Sequence, residues 1–84
     1  MYYFYIIKSK VNQSLYFGST NDLKKRMEEH NNGISKSTRR YLPWYLIYYE
    51  SYASEADARM REKQIKHNGK VFFFGKHIFI LMHL

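Results

Sequence analysis

Cysteine is absent from this 84-residue chain, so disulfides, thiolate metal centres and cysteine nucleophiles are all unavailable to it. A disulfide-stapled secreted mini-protein is therefore not expected. Acids are scarce too: seven Asp and Glu stand against fourteen Lys and Arg, a formal net charge of +7 with histidines neutral. No internal repeat or long linker occurs, and the length accommodates one small domain. The apolar residues 1–7 have no basic leader and run into Lys8 and Lys10. That pattern does not suit a secretion signal, so the cytoplasm is the expected compartment. The apolar stretch at residues 71–84 is broken by Gly75, Lys76 and His77 and is too short to span a bilayer. No membrane partner is expected.

What the chain does contain is apolar and aromatic. Hydrophobic residues make up 45% of it, and nine Tyr, six Phe and one Trp supply large buried areas from few side chains, which excludes wholesale disorder. The surplus of positive charge favours a polyanionic partner, chiefly nucleic acid, because Lys and Arg neutralise phosphates and release condensed counterions. The charge is also skewed: residues 63–84 hold four Lys and no acid.

Local patterns give an element order. Residues 2–8 and 15–18 are β-branched or aromatic runs joined by a polar stretch, which reads as a hairpin. Ser19, Thr20, Asn21 and Asp22 are N-cap candidates for a helix over residues 23–31 that Asn32 and Gly33 close. The polar, basic segment 34–42, ending at Pro43, predicts a loop or short helical turn. Residues 44–51 predict a third strand, and Ser54 with Asp57 opens a second helix over residues 55–67. The order is ββαβα, an α/β (α+β type) fold with a small three-stranded antiparallel or mixed sheet flanked by helices. Residues 1–67 form the predicted domain. Residues 68–84 are an atypical apolar tail, expected as an added strand docked on the Tyr48 and Tyr49 side or as a homodimer contact.

Polar residues stand where apolar ones belong. On the first helix Leu23 and Met27 define the apolar stripe, yet His30 falls within about 20° of Leu23 and Arg26 about 60° to its side. Arg26 could extend its head to water and His30 could be a satisfied core-edge histidine; otherwise both need a functional partner. On the second helix Glu62 lies between Ala58 and Ile65 at i, i+4, i+7 spacing, while Arg59, Lys63 and Lys66 face elsewhere. A carboxylate there calls for an ion pair with Arg26 or for a divalent metal, since Mg²⁺ commonly takes one or two protein carboxylates. In the hairpin Tyr3, Tyr5 and Ile7 share one face, with Tyr16 expected near Tyr5. Convergence of Tyr5, Tyr16, Arg26, His30 and Glu62 on one concave sheet face, with both helices turned towards it, is the constellation these placements predict.

With these residues in view, the chain resembles the GIY-YIG nuclease superfamily, and most closely its small stand-alone, single-domain bacterial-type branch. Tyr3-Phe4-Tyr5 stands where Gly-Ile-Tyr is expected, and Tyr16-Phe17-Gly18 stands for Tyr-Ile-Gly after the usual gap. The likeness continues through Ser19-Thr20-Asn21-Asp22-Leu23, Arg26, His30, Thr38-Arg39-Arg40-Tyr41-Leu42-Pro43-Trp44 and Glu62-Lys63-Gln64-Ile65-Lys66. The resemblance implies hydrolysis of DNA phosphodiesters with one divalent metal, Mg²⁺ or Mn²⁺, with RNA as a further substrate class. It assigns Tyr5 and Tyr16 to positioning or deprotonating the attacking water, Arg26 to the scissile phosphate, His30 to proton transfer near neutrality and Glu62 to the metal. Ser19 replaces a lysine proposed as base in some branches, which leaves that task to a tyrosine or His30. Lys24, Lys25, Arg39 and Arg40 are expected to border the site as phosphate-positioning residues. A nucleic-acid-binding module of the same fold with little turnover is the alternative, and a protein-interaction domain using the tail is a third.

Overall fold

The computed structural model describes the backbone of residues 1–74 and 77–82 and the side chains of residues 1–67. Strands β1 (Tyr2–Ser9), β2 (Leu15–Thr20) and β3 (Trp44–Tyr52) form an antiparallel sheet in the order β2-β1-β3. Helix α1 (Leu23–Asn31) follows β2, and α2 (Glu55–Asn68) follows β3. The predicted elements are therefore present, with strand ends one or two residues longer. Asp22 is the N-cap of α1, its side chain accepting from the Lys25 amide at 3.0 Å. At the other end of α1, Gly33 adopts φ +75°, a left-handed conformation that costs glycine little. The 34–42 segment is a loop with one short 3-10 turn, Arg39–Tyr41.

β1 is buried on both faces, which explains its nearly continuous apolar run. Phe4 and Ile6 pack with Ile65 of α2, while Tyr5 and Ile7 pack with Trp44 and with Leu23 and Met27 of α1. Strand alternation therefore sends the two helices to opposite faces of the sheet. This corrects the expectation that both turn towards one face. A register shift between Ile6 and Ile7 in the β1-β3 pairing is where the two clusters part along β3, Ile47 and Tyr48 going to one and Leu46 to the other.

The tail corrects a second expectation. Strands β4 (Gly69–Phe74) and β5 (His77–Met82) pair antiparallel with each other as a separate two-stranded sheet, rather than adding a strand to the main one. The docking and dimer contacts expected of Phe72, Phe73, Phe74 and of residues 78–82 lie outside the described residues.

Candidate active site

The site is built around the Tyr5 hydroxyl. Register pairs Tyr5 with Gly18 and Ile7 with Tyr16, so the two phenols and the glycine share a face. A Cβ on Gly18 would stand 2.4 Å from the Tyr5 hydroxyl oxygen and 2.5 Å from Cζ, so the ring lies over bare backbone. The absent side chain is what lets Tyr5 cross β2. Tyr5 is 1% exposed, yet its hydroxyl has two hydrogen-bond partners. The Arg26 Nε–H donates to it at 3.3 Å, and His30 Nε2 lies 2.8 Å away.

His30 is buried, as is Thr38, whose Oγ1 lies 2.8 Å from His30 Nδ1. Burial, helped by the positive charge of Arg26, pushes the His30 pKa down to about 4, so the ring is neutral at physiological pH. A neutral imidazole carries one proton. Because arginine can only donate, Tyr5 Oη accepts from Arg26; when the phenol donates to Nε2, the ring proton sits on Nδ1 and is given to Thr38 Oγ1. The opposite tautomer reverses the last two bonds and leaves the chain equally satisfied. Desolvation thus holds the resting histidine neutral, below the near-neutral titration expected of it from sequence.

Burial also raises the Tyr5 pKa to about 12, against the lowering influence of Arg26. The Glu62 carboxylate adds to this rise as the smallest of its causes. Tyr16 completes the cluster, its ring centroid 5.1 Å from that of His30 and 6.5 Å from that of Tyr5. Unlike Tyr5 it is only half-buried. The Arg26 guanidinium loses some hydration to burial but is held above its usual pKa by both phenols, chiefly Tyr5.

Glu62 does not pair with Arg26, contrary to the ion pair considered for it. Arg26 lies 3.6 Å from Glu29, and Glu62 accepts from Lys66 Nζ at 2.7 Å. Lys66 Nζ in turn lies 6.0 Å from the Tyr16 ring centroid, so helix α2 brings this end of its polar face alongside Tyr16 from across the β2 edge. Tyr5, Tyr16, Arg26 and His30 are in direct contact; Glu62 is linked to them through Lys66. Lys24, Lys25, Arg39 and Arg40 are exposed, Arg40 resting 5.3 Å from the Tyr41 ring centroid. Among the described residues no group of three or more His, Cys, Asp or Glu gathers to hold a metal. A single half-buried carboxylate suits Mg²⁺ or Mn²⁺, which keep water and phosphate oxygens in their remaining positions, and does not suit a closed zinc centre.

A family model described as the GIY-YIG catalytic domain matches residues 1–73. The chain belongs to the GIY-YIG family. A UPF0213 protein of Clostridium perfringens is 46% identical over 67 residues, 79% of this chain and 71% of the relative. A UPF0213 protein of Bacillus pumilus is 42% identical over 66 residues, 77% of this chain and 66% of the relative. The solution NMR structure of a UPF0213 protein from Bacillus halodurans covers 80% of this chain and 72% of its own, at 33% identity and a TM-score of 0.48. The GIY-YIG family is a nuclease superfamily acting on nucleic acids. Among the described residues no helix is long and apolar enough to cross a membrane.

Three features of this GIY-YIG domain were not assigned from sequence. Thr38 supports the far side of His30, and is itself fixed by the Trp44 Nε1–H donating to its carbonyl at 2.6 Å. Asn31 clamps the start of β3 with its side-chain amide, Nδ2 donating to the Trp44 carbonyl at 2.9 Å and Oδ1 accepting from the Trp44 N–H at 2.7 Å. On the opposite sheet face Glu50 accepts from Tyr48, Tyr52 and both Nε and Nη2 of Arg61. The alternation Tyr48, Glu50, Tyr52 was the available signal for this last cluster.

Proposed function

We propose that this protein is a metal-dependent endonuclease that hydrolyses DNA phosphodiesters with one divalent cation. The observation that carries the reading is the hydrogen-bonded line Arg26, Tyr5, His30, Thr38 beside Tyr16 in a chain of this family. The catalytic unit in this reading is residues 1–67, with 68–84 an atypical apolar tail, and the working compartment is the cytoplasm.

Arg26 spends its Nε–H on Tyr5, which orients the guanidinium and leaves donors for a phosphate oxygen. Its charge stabilises the extra negative charge of the pentacoordinate transition state. Glu62 would hold Mg²⁺ or Mn²⁺, which supplies Lewis-acid stabilisation when bound. Tyr16, the more accessible phenol, positions the attacking water. As the water oxygen bonds to phosphorus, its proton passes to the Tyr5 oxygen while Tyr5 gives its own proton to the His30 Nε2 lone pair. The P–O bond to the leaving alkoxide breaks, and that oxygen takes up a proton from solvent. Tyr5 thereby conducts a proton without becoming a free phenolate, which its pKa of about 12 would oppose. Arg26 is one cause of the low basicity of His30, so a phosphate anion engaging Arg26 makes His30 a better base when substrate is present.

Lys24, Lys25, Arg39 and Arg40 bind flanking phosphates in this reading. The test is incubation of purified protein with supercoiled plasmid and with branched, single-stranded or RNA oligonucleotides, in Mg²⁺, Mn²⁺ or EDTA. Nicking in either metal and none in EDTA is expected. Salt-dependent binding without cleavage in any metal would leave a binding module instead.

A further inference from the structure

The cation nearest Glu62 is built into the same helix. Lys66 follows Glu62 by one turn, its Nζ is 2.7 Å from Oε2, and the two side chains are 42% and 22% exposed. An i, i+4 Glu–Lys pair on an outer helix face is commonplace. This one, though partly exposed, borders the site, because the same ammonium stands 6.0 Å from the Tyr16 ring centroid. The other paired cations of α2 point away from the site: Arg59 to Glu55 on the surface, and Arg61 to Glu50 across the sheet.

We propose that Lys66 is a positioning residue of this site, a resident counter-ion that holds Glu62 in the metal-free protein and must leave its carboxylate for a divalent cation to bind. The proposal rests on the assignment of Glu62 as metal ligand. One ammonium and one dication cannot both lie within contact distance of the same oxygen atoms without strong repulsion. Lys66 therefore holds the carboxylate in place beside Tyr16's end of the site and at the same time sets a floor under the metal concentration needed to load it. Arginine at this position would grip both carboxylate oxygens and raise that floor.

The test is a Mn²⁺ titration followed by electron paramagnetic resonance, without nucleic acid, on the full chain and on Lys66→Met, Lys66→Arg and Glu62→Gln. Thermal melts would check that each is folded. Removal of the ammonium is expected to tighten Mn²⁺ binding by about fivefold to twentyfold, the size of a one-against-two charge repulsion at a few ångströms in a largely hydrated site. Lys66→Arg should bind Mn²⁺ no more tightly than the unaltered chain, and Glu62→Gln should lose the site. Unchanged or weaker binding in a folded Lys66→Met, with the site still lost in Glu62→Gln, overturns the counter-ion role and leaves Glu62 as ligand. Equal Mn²⁺ binding by Glu62→Gln and the unaltered chain, or none by any of the proteins, overturns the ligand assignment itself and the counter-ion role with it.

Discussion

Tyr5 is the residue on which packing and chemistry compete most directly. Its ring occupies the space over Gly18, so Gly18→Ala forces a methyl group into the phenol and neither the buried ring nor the strand backbone can yield freely. The expected cost is about 1–3 kcal/mol of stability, read by urea denaturation, together with a slower cleavage rate from the displaced hydroxyl. His30 gives a pH prediction with a definite sign. Its pKa falls from 6.5 in the unfolded chain to about 4 in the fold, so the folded state takes up its proton less readily. Above pH 6.5 both states are neutral and nothing is lost; as pH falls from 6.5 towards 4, protonation favours unfolding. At about 1.4 kcal/mol per unit, the loss is on the order of 3 kcal/mol by pH 4. Denaturant titrations at several pH values should show this slope, and His30→Gln should lack it.

At the scale of elements, α2 is fixed to β3 by Arg61 and Glu50, whose side chains are 25% and 19% exposed and whose carboxylate also accepts from two tyrosines. Arg61→Leu leaves that carboxylate without its cation. A loss of about 2–3 kcal/mol is expected, below the range for a fully buried pair because water still reaches both groups. Arg59→Leu, removing an exposed pair, should cost under about 0.5 kcal/mol in the same urea experiment. Much of this architecture was legible in the sequence because local signals agreed with it: the Asp22 cap, the polar break before Pro43, the β-branched and aromatic runs. The placement of the helices on opposite faces was not legible. Strand alternation says that Phe4 and Tyr5 part company, but not which helix each will meet. The pairing of Glu62 with Lys66 was missed for a related reason, since the angular position of Lys66 on α2 says little about where a four-carbon side chain carries its charge. Thr38 was visible only as part of a motif, because nothing in its neighbours signals a buried hydroxyl.

Over the whole molecule a net charge of +7 draws the chain to polyanions, and the exposed Lys24, Lys25, Arg39 and Arg40 are the residues expected to convert attraction into register on the phosphate backbone. Replacing Arg39 and Arg40 together by Glu should weaken binding to any sequence alike and make the slope of log affinity against log salt less steep by about two contacts. An unchanged slope would mean that these side chains only face solvent. The central claim concerns where cleavage happens, and Glu62 tests it most directly because its side chain supports little of the fold: its partner Lys66 forms a partly exposed i, i+4 pair with it. The decisive measurement is the rate of supercoiled-plasmid nicking by Glu62→Ala in saturating Mg²⁺, beside the unaltered chain at equal concentration and with matched melting temperatures. The account predicts that nicking falls to the level seen in EDTA while the melting temperature stays within a few degrees. Nicking that persists in Glu62→Ala, after a mock purification has excluded contaminating nuclease, would contradict it.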